Sequence, residues 1–174
     1  MRIEVENLDR AGKEFSHRYA SGELTLEDER IRFAEQVSLS GRATRKGVEV
    51  QLRGKINTRV EVACDRCHRD VSFSISTDFD VKYVPAQNDD VSETAELGAD
   101  DLDASVYEDG WVDADELVRE QVLLSVPMRL LCQDECKGLC AGCGADLNSE
   151  TCSCRQDEID PRWAALAALK EKKG

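Results

Sequence analysis

From Phe33 onward, apolar side chains fall on alternate positions, the period of strands that bury one face and wet the other. Phe33, Val37, Leu39 and Ala43 share one parity, with Gln36, Ser38, Ser40 and Arg42 on the other. Arg45-Lys46-Gly47 reads as a turn in which glycine supplies a positive φ. Val48, Val50, Leu52, Ile56, Val60 and Val62 then face inward on even positions, while Glu49, Gln51, Arg53, Lys55, Asn57 and Arg59 face out. Gly54 interrupts this run where a long strand would bend. After a turn at residues 64–69 the inward set becomes Val71, Phe73, Ile75, Phe79, Val81 and Tyr83, against Ser72, Ser74, Ser76, Asp78 and Asp80. Three long alternating segments joined by short turns predict an antiparallel meander, curled into a half-barrel that covers its apolar face.

The flanks are less regular. Ile3, Val5 and Leu8 predict a short first strand, and residues 11–26 read as a helical turn and a loop. Residues 87–105 hold seven acids and no base, the composition of a flexible acidic loop. Order resumes at residues 106–112 as a short strand or turn. Asp113 then suits a helix N-cap, with Asp115 and Glu116 at the positive end of the helix dipole. Leu117, Val118, Val122, Leu124 and Val126 give this helix its apolar face, and Pro127 ends it. Asp160-Pro161 marks a second, terminal helix carrying a stripe of Trp163, Leu166 and Leu169. The fold class is therefore mostly β (α+β): a meander or half-barrel packed with one or two helices, plus a Cys-rich, zinc-ribbon-like C-terminal segment. The expected organisation is a β domain over 1–86, the acidic loop over 87–105, the helix region over 106–131 and the Cys-rich segment over 132–174, folding as one cooperative domain.

Charge narrows the partners. The formal net charge is −13, concentrated in residues 87–120, where thirteen acidic residues face a single arginine. Nucleic-acid affinity comes largely from neutralising phosphates, so most of this surface would repel RNA and suits a basic protein instead. The exception is Arg42, Arg45, Lys46, Arg53, Lys55 and Arg59, on the outer face and tip of the first hairpin. They read either as a solvated face paired with Glu35, Glu49 and Glu61, or as an RNA-contacting patch; no aromatic residue is interleaved for base stacking. No apolar run is long enough to span a bilayer.

The eight cysteines change the picture most. Cys140-x-x-Cys143-Gly144 has the form of a zinc knuckle, and Cys152-x-Cys154 supplies a second close pair. Four thiolates within fifteen residues predict a tetrahedral structural site with no position left open for catalysis. Cys64-x-x-Cys67 lies in a hairpin turn, and Cys132 and Cys136 are the remaining thiols; together they form a second candidate site joining the sheet to the C-terminal segment. His68 is a substitute ligand for it. One zinc ion is expected and a second is the further candidate. Disulfides and free thiols are the alternatives, but the chain is too long to need stapling. Its start shows charge without an apolar run behind it, which points to a reducing, cytoplasmic setting.

The sequence Cys132-x3-Cys136-Lys-Gly-Leu-Cys140-x2-Cys143-Gly-x2-Leu147-Asn148, then Cys152-x-Cys154 and Asp160-Pro161-Arg162, resembles the YceD family. These are bacterial and plastid proteins linked to accumulation of large-subunit ribosomal RNA. Cys64-Asp-Arg-Cys67 after a long strand and the helix Glu120-Gln-Val-Leu-Leu-Ser-Val-Pro127 carry the resemblance too, which spans residues from about 48 to 170. It implies a non-enzymatic factor in large-subunit assembly, working through a basic ribosomal protein or precursor rRNA, with neither membrane nor small-molecule substrate. The residues agree on the last point: no nucleophile–base pair, phosphate loop or open metal site is visible. Two rivals come from other classes. One is a redox-regulated zinc-thiol holdase, the other a zinc-ribbon RNA-binding module.

Overall fold

A computed structural model describes residues 1–86 and 104–154. The chain forms two compact units, one of residues 1–63 and 70–130, the other of residues 64–69 with the chain from 131 onward. Most of the acidic stretch (87–103) and the helix predicted from Asp160 lie outside the described residues.

The first unit holds eight strands and a helix: β1 (Arg2–Glu4), β2 (Lys13–Tyr19), β3 (Ile31–Phe33), β4 (Val37–Lys46), β5 (Glu49–Ala63), β6 (Asp70–Pro85), β7 (Ala104–Tyr107), β8 (Trp111–Asp113) and α1 (Ala114–Ser125). The main sheet runs β2-β4-β5-β6-β7 with β3 also on β5, and β1 pairs with β8 as a separate ribbon. The alternation read from the sequence is the pleat of β4, β5 and β6. Leu39, Leu52, Ile56 and Val60 are fully buried, and Ile75, Phe79 and Tyr83 complete the same face. α1 packs across β5 and β6, burying Leu117, Val118 and Val122. Asp113 caps it, its carboxylate accepting from the N–H groups of Asp115 (2.8 Å) and Glu116 (3.4 Å). The mostly β half-barrel with a packed helix is thus the observed architecture of this unit. Among the described residues no helix is long and apolar enough to cross a membrane.

Several local expectations need correction. Residues 13–19 form β2, antiparallel to β4, instead of a helical turn and loop: Phe15, His17 and Tyr19 alternate inward with period two. The predicted strand starting at Phe33 is two strands on one edge of β5. Between them residues 34–37 stand against Thr58 and Arg59, and the N–H groups of Ala34 and Glu35 both reach the Arg59 carbonyl, a β-bulge. Val48 belongs to the turn and is 60% exposed, and Leu124 points off the helix into solvent. Ala104 and Ser105, assigned to the acidic loop from the sequence, belong to β7. That strand joins β6 in parallel, unlike the antiparallel pairs before it.

Curling the sheet depends on one row of residues. Phe15, Gly41, Gly54 and Phe79 are direct neighbours across β2, β4, β5 and β6. A Cβ on Gly54 would lie 2.2 Å from the Ser40 carbonyl oxygen and 2.7 Å from the Phe79 ring. One on Gly41 would lie 2.3 Å from the Arg53 carbonyl oxygen. The backbones approach more closely here than any side chain allows, and the two phenyl rings close over the gap. Paired glycines across a sheet permit the bend that a half-barrel needs. Strand propensity alone favours alanine over glycine by about 0.5–1 kcal/mol. We therefore expect the opposite sign for Gly54→Ala, a loss of about 1–3 kcal/mol in urea unfolding; an unchanged or higher midpoint would contradict this role.

Candidate metal centres

The second unit is organised by two local turns of the same construction. In Cys64-Asp-Arg-Cys67 the His68 N–H donates to the Cys64 carbonyl (2.9 Å) and the Cys64 N–H to the Arg69 carbonyl (2.8 Å). In Cys140-Ala-Gly-Cys143 the Gly144 N–H donates to the Cys140 carbonyl (2.8 Å) and the Cys140 N–H to the Ala145 carbonyl (2.8 Å). The residue after the second cysteine takes a left-handed conformation in both, φ 75° at Gly144 and 57° at His68. Glycine adopts this geometry without strain; histidine does not. His68 is exposed, outside both thiol sets, and its place in the turn is a backbone matter.

Each turn gathers a partner pair. The sulfurs of Cys64, Cys67, Cys132 and Cys136 lie within 4.8 Å of one another, as do those of Cys140, Cys143, Cys152 and Cys154. Among the described residues these are the two groups with metal-ligand spacing. Individual separations are 3.8 Å for Cys64–Cys136, 3.6 Å for Cys67–Cys132, 3.4 Å for Cys143–Cys152 and 3.3 Å for Cys140–Cys152. Four thiolates at roughly 2.3 Å from one ion place their sulfurs about 3.8 Å apart. All eight thiols are free. Both sets can therefore hold a metal ion, and four side chains complete a tetrahedron in each.

Electrostatics explains why a cation suits these sets. Burial opposes ionisation of Cys64, but N–H groups of Arg66, Cys67 and Cys132 outweigh it and bring the thiol down to about 6. Cys140 is brought to about 6 by the Cys143 N–H, then the Cys152 thiol and the Gly142 N–H. Cys132 and Cys154 move the other way. Cys132 is pushed up to about 12 by burial and then by Cys136, Cys67 and Cys64. Cys154 is pushed up to about 12 by Cys152, Cys143 and Cys140. One negative charge is accommodated in each set and further ones repel; a divalent cation at the centre reverses that balance. The two sets differ in access. Cys64, Cys67 and Cys136 are buried, whereas Cys143 and Cys154 are exposed.

A polar network centred on Asn148, the residue that ends the Gly-x2-Leu-Asn motif, holds the first set. The Asn148 side-chain amide donates to the Cys136 sulfur (3.4 Å) and to Asp146 (2.7 Å), and its oxygen accepts from the Lys137 N–H (2.9 Å) and from Gln133 (3.2 Å). Asp146 in turn pairs with Arg69 at 2.9 Å, tying the ends of this unit's two chain segments together. Arg66 also donates to the Cys136 carbonyl. The motif marks the position of Asn148, and its contacts show what it does there.

The basic residues lie on the outer face and tip of the β4–β5 hairpin, four of them beside acids. Arg42 pairs with Glu14 (2.8 Å), Arg53 with Asp80 (2.9 Å), Lys55 with Asp78 (4.0 Å) and Arg59 with Glu35 (2.9 Å). Arg45 donates to the carbonyls of Gly47 and Val5. Glu35 is the one expected partner that appears; Glu61 is taken by Arg32.

A curled β unit and a segment carrying two four-cysteine sets, each able to hold a metal ion, define a mostly β protein with a Cys-rich C-terminal segment. The family model for the large ribosomal RNA subunit accumulation protein YceD matches residues 52–170, running through both sets, and the chain belongs to that family. A chloroplastic YCED homolog 1 of Arabidopsis thaliana, named as a large ribosomal RNA subunit accumulation protein, is 29% identical over 78% of this chain and 49% of its own length. The uncharacterized protein YlbN of Bacillus subtilis is 26% identical over 95% of this chain and 92% of its own. This chain therefore spans about half of the plant relative and nearly all of the bacillar one. No solved structure matches it.

Two substitutions test the centres. Asn148→Ala removes the donor to Cys136 and should weaken metal binding by the first set about 10–100-fold in a chelator competition, leaving the second set unchanged. His68→Gly relieves the left-handed strain and should raise thermal stability by about 1 kcal/mol with metal content unaltered; a loss of metal instead would make His68 a ligand.

Proposed function

We propose that this chain is a non-catalytic, cytoplasmic factor supporting accumulation of large-subunit ribosomal RNA, and that it acts through a basic ribosomal protein. The observation that carries this reading is the family match across residues 52–170. Zinc is the metal proposed for both sets: all-thiolate, four-coordinate sites suit it, and the absence of an open position suits a structural role. The first set joins cysteines up to 72 residues apart in sequence, so a metal there offsets much loop-closure entropy. Two such sites add about four negative charges, because each sets +2 against four thiolates. A surface already at −13 then favours a lysine- and arginine-rich protein over phosphate. The pairing of Arg42, Arg53, Lys55 and Arg59 with carboxylates supports the same choice.

Native mass spectrometry of the intact protein should count two zinc ions per chain; one or none would remove the double-site reading. A tagged protein isolated from growing cells, with half of the sample treated with RNase, tests the partner. Large-subunit proteins that survive RNase are the expected result. Their disappearance with the RNA would move the contact to Arg42, Arg45, Lys46, Arg53, Lys55 and Arg59, and recovery of neither would end the assembly reading.

A further inference from the structure

A cavity of about 360 Å3 opens in the first unit where β6, β7, β8 and the start of α1 meet. Its volume falls at the lower end of ligand pockets, roughly 300–1,000 Å3. Four carboxylates line it, Glu108, Asp109, Asp113 and Glu116, against the single guanidinium of Arg2. Asp113 is accounted for by its cap on α1. Glu108, Asp109 and Glu116 form no ion pair among the described residues, in a unit where Arg32, Arg42, Arg53 and Arg59 all do. Asp109 is held in the β7–β8 turn at φ 52°, a conformation that costs a non-glycine residue free energy.

A second observation stands apart from the acids. Tyr83 lines the cavity, is 5% exposed, and its hydroxyl finds no hydrogen-bond partner among the described residues. Burial, then the charges of Glu120, Glu116 and Asp113, raise its pKa, and a protonated phenol oxygen can accept a hydrogen bond. Among the described residues the enclosed side-chain polar atoms without a hydrogen-bond partner are His17 Nε2 and Thr58 Oγ1, so the Tyr83 hydroxyl, on an otherwise buried side chain, is accessible. Trp111, 40% exposed, stands at the rim and offers an aromatic face.

The occupant must carry several donors and positive charge. A divalent ion is a poor fit, because these carboxylates do not converge to metal-ligand spacing; the two cysteine sets are the groups that do among the described residues. A guanidinium or ammonium group needs no such convergence. It can be shared between separated carboxylates, donate to a hydroxyl and rest on an indole. We propose that this cavity is the docking site for an arginine- or lysine-rich segment of a protein partner, with Glu108, Asp109 and Glu116 as the charge partners, the Tyr83 hydroxyl as the acceptor and Trp111 as the rim contact. This rests on the assembly reading above only for the partner's identity.

The test uses the full-length, metal-loaded protein with Trp163→Phe, so that Trp111 is the remaining tryptophan of two. The probe is an eight-residue peptide of alternating arginine and glycine, with citrulline in place of arginine as the uncharged control. Saturable change in Trp111 fluorescence with the arginine peptide alone is expected. Glu108→Gln with Glu116→Gln should weaken it at least about tenfold, and Tyr83→Phe at least about fivefold. Glu27→Gln with Glu29→Gln, an equal loss of charge elsewhere, should leave it within about twofold. Equal weakening by the Glu27/Glu29 pair, or full affinity after Tyr83→Phe, overturns the proposal. So does spermidine binding as tightly with the same residue dependence, which would assign the cavity to a polyamine. The titration contains no ribosomal component, so its failure overturns the cavity assignment alone. Loss of ribosomal proteins from the pull-down, with peptide binding intact, would overturn the assembly reading alone.

Discussion

Four sulfurs held within 4.8 Å of one another cannot all carry charge unless a cation stands between them, and the second unit is built twice on that constraint. The backbone turn of each Cys-x-x-Cys aims N–H groups at its leading thiol and lowers its pKa to about 6. Burial and then its neighbouring thiols push Cys132 up to about 12, and the crowding of Cys152, Cys143 and Cys140 does the same to Cys154. What a metal relieves is this conflict, so metal binding and folding of the unit are one free-energy change. The unit has little else to offer. Its described part contains isolated turns and one β-bridge, Leu139 to Asp146, and no named strand or helix.

The first unit solves a different problem. A sheet with strands of fifteen and sixteen residues must cover one apolar face, and it does so by bending and by receiving α1. The bend is located by Gly41 opposite Gly54, where a side chain would meet the neighbouring backbone. The helix is located by Asp113, whose cap leads directly from β8 into the buried face of Leu117, Val118 and Val122. Its outer sheet face is a lattice of cross-strand ion pairs between exposed residues, worth little in stability but enough to cancel the local positive charge.

These two solutions frame the chemistry the protein can offer a partner. The thiolate sets are filled by their own ligands, and the basic hairpin is largely satisfied by its own acids. What remains unbalanced is negative charge, gathered around Tyr83 and Trp111 in the first unit. The assembly role proposed above, through a cationic protein partner, requires no phosphate-binding surface.

Periodicity was enough to read the meander, because a half-buried strand writes its burial directly into alternate residues, as Leu52, Ile56 and Val60 show. Spacing was enough to nominate Cys140, Cys143, Cys152 and Cys154, because two-residue gaps between thiols are a local geometry. β2 was not legible as a strand: with Phe15 and His17 only half-buried, its edge position leaves a weak alternation that hydrogen bonds to β4 decide. The bulge at Ala34 and Glu35 and the parallel seat of β7 likewise depend on a neighbouring strand. The pairing of Cys64 and Cys67 with Cys132 and Cys136 was open to the sequence only by elimination, as the thiols left over, while the contacts of Asn148 and the cavity around Tyr83 follow from no spacing. The sequence by itself determined which residues prefer burial, which prefer a turn and which can bind a metal, since these are properties of a residue and its near neighbours. Only the tertiary structure decided which of them meet, because meeting is set by the register and curvature of strands that local propensity does not encode.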